Sequence, residues 1–275
     1  MLNNEILNES FNSGISGAKA MSIQVCSLMW LRTSINYQYK TGYTFTQSFK
    51  NLYKEGKVRR FYRGICPALI QGPLSRFGDT ASNAGVITTL NSYDNTKNLP
   101  LFIKTICSSS VASLWRIGIM PIDTVKTSLQ VHGKTGIEII ANKYKENGIR
   151  VYYHGALGAF SATYLGHFPW YTTYNYLDKY LSNYENSFQQ ISRNASIGFC
   201  SSAISDTCSN SIRVLKTVRQ TNNVNISYMN IAKYIIHNDG YYSLFTRGLN
   251  TKILSNGLQS MIFTVLWKHF STNYN

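Results

Sequence analysis

The sequence predicts an all-α membrane protein of three related units, each with two long helices and a short amphipathic one between them. Three observations predict it: two separate landmarks recur with a period near ninety residues, charge-free stretches are long, and the basic excess comes from a scarcity of acids.

The first landmark is clearest at PIDTVKTSLQ, which carries Pro121, Asp123, Lys126 and Gln130. Ninety-four residues earlier stands SLMWLRTSIN, Ser27 to Asn36, and ninety residues later SIRVLKTVRQ, Ser211 to Gln220. All three place a base before a threonine: Arg32–Thr33, Lys126–Thr127 and Lys216–Thr217. The second landmark reads EGKVRRFYRG, NGIRVYYHG and DGYYSLFTRG, ending at Gly64, Gly155 and Gly248. Two landmarks that share one period define a repeat, with units 1–98, 99–186 and 187–275 in one domain of 275 residues.

Element by element, the long helices are expected at 12–36, 63–91, 101–130, 153–182, 188–219 and 247–271, and the short ones near 45–54, 135–146 and 227–237. Pro121 removes a backbone donor and kinks the third long helix. Glycine at the end of each second landmark permits a turn or a close helix approach.

The 27 Lys and Arg outweigh 12 Asp and Glu, yet only 14% of residues are charged and 44% are hydrophobic. A soluble nucleic-acid binder gathers its bases into one patch; here they are spread along the chain, so no nucleic-acid partner is expected. Between Val151 and Leu177 no acid or base occurs, and a helix of that length at about 1.5 Å per residue crosses a hydrocarbon core of about 30 Å. Lys19, Arg76, Asp79, Arg116 and Asp206 interrupt other segments. Helices around a water-filled cavity accommodate them, polar side inward.

No phosphate-binding P-loop, nucleophile triad, catalytic carboxylate pair or dinucleotide fingerprint occurs, so no enzyme and no cofactor are expected. The five cysteines form no CxxC pair, and His154 and His167 have no third ligand at useful spacing, so no metal is expected either. The first twenty residues hold Glu5 and Glu9 and no Arg-rich presequence. Tyr152, Tyr153, Tyr171, Tyr174 and Tyr176 fit an interfacial aromatic belt.

These landmarks resemble the mitochondrial carrier family, whose mark is Pro-x-acid-x-x-base, followed after a spacer by acid-Gly, an aromatic, a base and Gly, three times. The middle copy is close to that pattern and the outer two depart from it. The resemblance implies six tilted transmembrane helices in a pseudo-threefold barrel with short matrix helices between. It also implies a monomer in the mitochondrial inner membrane, or in another organelle membrane, exchanging a small solute by alternating access.

It further implies a matrix gate in which the acid of one repeat meets the base of the next. Asp123 should then pair with Lys216. Met29 stands where an acid should meet Lys126, and Arg213 where an acid should meet Arg32. One attractive and one repulsive pair result, a weakened gate unless an anion or another residue offsets Arg32 and Arg213. Gln130 and Gln220 match the family's bracing glutamine, and Asn36 replaces it in the first unit. Cardiolipin or another anionic lipid is implied at the turns marked by Gly64, Gly155 and Gly248.

Substrate contacts in the family lie on the even-numbered long helices. Gly166 and His167 precede Phe168 and Pro169, where glycine with an aliphatic residue marks nucleotide carriers; His167 departs from that. Arg76 and Asp79 are one turn apart and read either as a local ion pair or as solute contacts. Lys252, Asn256 and Gln259 share one helix face, and Ser255 sits where many relatives have arginine. The interior, with Lys19 and Arg116 added, is net basic, so an anionic solute is expected: a nucleotide or deoxynucleotide first, a carboxylate second. The alternatives are a carrier-like adaptor or leak pathway and, last, a basic helical protein that binds nucleic acid.

Overall fold

A computed structural model describes the backbone of residues 2–272 and the side chains of residues 21–100, 102–186, 188–259 and 262. Eleven α-helices appear in this range: α1 Leu2–Thr41, α2 Phe45–Phe61, α3 Ile65–Ser92, α4 Leu101–Gly118, α5 Met120–His132, α6 Gly136–Asn147, α7 Ala156–Tyr180, α8 Ser187–Thr221, α9 Tyr228–Asp239, α10 Ser243–Thr246 and α11 Leu249–Thr272. Short 3₁₀ turns occupy Gly133–Thr135 and Gly148–Tyr153.

Local sequence explains where several of these begin and break. Thr44 and Gln47 form a capping box at the start of α2, and the Ser227 hydroxyl accepts the Asn230 amide at the start of α9. Pro121 does more than kink one long helix: the helix breaks at Ile119 (φ −87°, ψ 3°), and Pro121 lies in the first turn of α5, where its missing N–H has no partner to lose. The first unit bends at Leu28 (φ −115°, ψ 16°) with Ser27 in the proline position. α8 runs from Ser187 to Thr221 as one helix.

The long helices close a ring. α1 packs on α3, α3 on α4, α4 on α7, α7 on α8, α8 on α11, and α11 returns to α1. At one end α1, α5 and α8 also touch pairwise, while α2, α6 and α9 lie against α1, α5 and α8 respectively. The short helices bury one side only: Leu52 of α2, Ile140 of α6, and Ile231 with Ile235 of α9. The last two join Ile35, Tyr39, Val214, Val218 and Leu244 in the largest apolar cluster.

A cation in or just before the second landmark ties each unit to the next. Arg60, held by Glu55 at 2.6 Å, donates to the Gln130 and Val131 carbonyls at 2.8 and 2.7 Å, satisfying the carboxyl end of α5. Lys143 donates to the Gln220 carbonyl of α8 at 3.3 Å. Arg247, paired with Asp239, donates to the Tyr39 carbonyl of α1 at 3.2 Å. Helix carboxyl ends leave carbonyls unsatisfied and carry partial negative charge, so a cation answers both needs. The terminal glycines permit this docking: Gly64 and Gly248 adopt φ of +82° and +65°, and a Cβ on Gly155 would lie 2.6 Å from Met120 Cε.

No helix among the described residues is long and apolar enough to cross a membrane. The uncharged run from Val151 to Leu177 includes the second half of the 3₁₀ turn and most of α7, and α7 itself is diluted by glycine, serine, threonine and histidine. Large apolar side chains nevertheless face outward around the ring, among them Ile70, Leu114, Leu157, Leu165, Ile204 and Leu254.

Candidate functional site

The ring encloses a cavity of about 1090 Å³. Its wall comes from α1, α3, α5, α8 and α11, with Arg116 from α4 and nothing from α7. Gln190 and Lys216, both lining residues on α8, are separated along that helix by roughly 39 Å at 1.5 Å per residue, so the cavity follows most of its length. Among the described residues seven bases line it (Arg32, Arg76, Arg116, Lys126, Arg213, Lys216 and Lys252) against two acids, Asp79 and Asp123.

The end at which α1, α5 and α8 converge forms a floor. Asp123 is buried and receives two lysines, Lys216 from α8 and Lys126 one turn along its own helix, each at 2.6 Å. Gln220 donates to the same carboxylate at 3.3 Å and to Thr124 Oγ1 at 3.1 Å. Lys126, without an acid at Met29 to meet, also donates to Gln71 of α3 at 3.0 Å. Gln130 donates to Met29 Sδ at 3.6 Å and accepts from Asn36 at 2.5 Å, so neutral contacts surround Met29 where the family pattern has an acid.

Arg32 and Arg213 turn to other partners. Arg32 donates to Gln259 of α11 at 3.2 Å. Arg213 lies 3.5 Å from Asp206, two turns back on α8, and donates to Ser209 at 3.1 Å. Asp206 also receives Asn256 from α11. Asp206 and Gln259 thus take up the arginines that the outer landmarks leave without acids. Gln71 was not singled out from the sequence; its side chain comes within reach of Lys126 only through the α3–α5 packing.

Higher in the cavity the sequence reading needs correction. Asp79 does not pair with Arg76; it meets Arg116 across the α3–α4 contact at 2.5 Å, and Arg116 also donates to Ser75. Arg76 is exposed and lines the cavity, and its guanidinium has no ion pair or hydrogen bond among the described residues. Gly166 and His167 lie off the cavity wall. The Gly166 carbonyl accepts from Ser205 of α8 at 2.6 Å, and His167 Nδ1 lies 3.0 Å from Ser109 Oγ of α4. α7 presents this pair to its neighbours because the space a Gly166 Cβ would fill is bounded by Ser205 and Ser209. Ser255 is buried beneath Gln259, and Lys252 and Asn256 line the cavity. Lys19 lies outside the described side chains. No group of three or more metal-ligating residues occurs among the described residues.

A ring of repeated helix pairs around a basic cavity invites comparison at the sequence level. The family model described as mitochondrial carrier protein matches residues 97–185 and 188–275, well over half of the chain. The chain belongs to the mitochondrial carrier family. Members of this family are transporters, not enzymes. A mitochondrial carrier-like protein of Acanthamoeba polyphaga mimivirus is 23% identical over 163 residues, 59% of this chain and 61% of the relative's length. The carrier thus spans less than two thirds of the relative it matches, and that relative is viral. The matched family residues cover the second and third units; both outer units depart from the pattern at proline and acid, with Ser27 and Met29 in the first and Ser211 and Arg213 in the third.

Proposed function

We propose that this carrier moves a small organic anion across an organelle inner membrane, the mitochondrial one by family, exchanging it for a counter-anion by alternating access. The expected helix segments are the spans, with α2, α6 and α9 on the matrix side. The observation that carries the reading is the cavity: about 1090 Å³, with seven bases against two acids among the described residues of its wall. A basic, low-dielectric chamber concentrates anions. Helices too polar to be uniform spans suit a ring whose polar faces meet water within and whose apolar faces meet lipid.

The solute proposed first is a nucleotide or deoxynucleotide, and a di- or tricarboxylate second. The cavity volume supports it, since sites for drug-sized ligands run from about 300 to 1000 Å³. Gly166 no longer supports it, being packed on α8. Arg76, Lys252 and Asn256 are the proposed contacts, with Asp79 holding Arg116 in place. Asp123, Lys126, Lys216, Arg32 and Arg213 are the proposed gate, braced by Gln130 and Gln220. Anionic lipid is proposed at the amide ends of α3, α7 and α11. One carboxylate shared by two lysines also favours a second reading, a leak pathway with an incomplete gate.

Uptake of labelled nucleotides and carboxylates into cardiolipin vesicles preloaded with unlabelled solute tests both. Saturable uptake that needs internal solute supports the carrier. Anion leak without counter-solute supports the second reading, and neither signal in correctly inserted protein overturns both.

A further inference from the structure

Charge at the cavity floor does not balance. Five cations, Arg32, Lys126, Arg213, Lys216 and Lys252, meet two carboxylates, Asp123 and Asp206. The carboxylates are already committed, Asp123 to both lysines of the floor and Asp206 to Arg213 and Asn256. Arg32 is left with the neutral Gln259 carbonyl and Met21 Sδ, and its Nε is buried with no acceptor. Lys252 reaches the same space from α11 with no ion pair or hydrogen-bond acceptor for its ammonium among the described residues. It lies within electrostatic range of Asp206, Arg213, Arg32 and Lys126; the one carboxylate among them is already held by Arg213 and Asn256, so an excess of cations converges from four helices on one volume.

Cations crowded out of bulk water without counter-charge repel one another and lose hydration, a cost relieved only by an anion with hydrogen-bond acceptors. An arginine fork and lysine ammoniums arriving from different directions suit a tetrahedral oxyanion, which accepts on several oxygens at once. We infer that a phosphate-type oxyanion binds at the cavity floor between Lys252 and Arg32, flanked by Arg213 and Lys126, as the counter-charge to this cluster. It rests on the same cavity as the carrier reading, yet it needs no transport to be observed. Bound there, the anion links α1, α5, α8 and α11 and favours the closed floor.

The test is thermal unfolding of detergent-purified protein titrated with sodium phosphate, against sodium chloride at matched ionic strength, with binding stoichiometry from equilibrium dialysis of labelled phosphate. One saturable phosphate per chain and a phosphate-specific rise in the unfolding midpoint are expected. Lys252→Gln, which removes one charge-assisted donor, should weaken half-saturation about tenfold or more. Lys54→Gln, an exposed lysine of α2, should not. ADP is the second probe: competition with phosphate identifies the solute's own phosphoryl group as the anion, and additive stabilisation identifies a separate inorganic one. No saturable phosphate in dialysis overturns the site even where Lys252→Gln fails to fold. An equal effect of chloride, or equal affinity in both variants, overturns it as well. Transport can fail while phosphate still binds, so the two readings fail separately.

Discussion

Lys216 and Asp123 lie ninety-three residues apart and meet at 2.6 Å, a contact between the second and third units that Gln220 braces from the same helix as the lysine. Lys126 holds the other carboxylate oxygen, so a single acid neutralises two bases at the floor.

Replacing Asp123 by asparagine should therefore be the most damaging change at the floor. It leaves two partly buried lysines without a carboxylate, and breaking such a pair from one side costs about 3 kcal/mol or more. Lys216→Gln should cost less, because Lys126 keeps the carboxylate paired. Thermal unfolding in detergent ranks the two, and an equal or reversed order would sink the shared-acid account.

Arg60→Ala should lower stability by about 2–3 kcal/mol, since two carbonyls at the carboxyl end of α5 lose a charged donor. Arg59, its exposed neighbour, is the control and should change stability by about 0.5 kcal/mol at most. Similar unfolding midpoints for the two variants would show that Arg60 is not needed as a cap.

Gly166→Val should act on packing and not on solute choice. Its Cβ would stand 3.1 Å from Ser205 Oγ, and the added methyls force α7 from α8 at a cost of about 1–3 kcal/mol. Competition uptake by vesicles gives the readout: an altered order of preferred solutes at unchanged stability would return Gly166 to the cavity wall.

The pH dependence should come from the end of the ring where α2, α6 and α9 lie. Lys143 is buried beside Arg219, and burial first, then that charge, bring its pKa from 10.5 to about 8. The unfolded chain thus binds more protons between about pH 8 and 10.5, so stability rises with pH through that window. His132 is pulled below its ordinary 6.5 by burial; its bond to the Thr221 carbonyl opposes this, and Lys40, Arg60 and Lys143 reinforce it. Its contribution is therefore present above pH 6.5 and lost as pH falls through the lower folded value. Unfolding midpoints measured from about pH 5 to about pH 10 should show both limbs. Lys143→Met should flatten the alkaline limb and His132→Gln the acid one; variants that leave both limbs intact would assign them to other groups.

Period and landmarks made the architecture legible. Two helices and a short amphipathic one per unit follow from glycine turns, capping residues and apolar spacing, all of which act within a few residues. The reach of Asp123 to Lys216 was legible too, because both sit at matching places in successive units. Partner choice elsewhere was not. Arg76 and Asp79 have the spacing of a helical ion pair, yet Asp79 turns to Arg116 because α4 brings a guanidinium closer to that face.

By itself the sequence determined the helix order, the family and the basic character of the interior, since these depend on local patterning and net composition. Only the tertiary structure decided which face each helix turns inward. Rotation and register of packed helices arise from side-chain fit along their whole length, so they moved Gly166 and His167 off the wall, put Gln259 against Arg32, and set Asp206 beside Arg213.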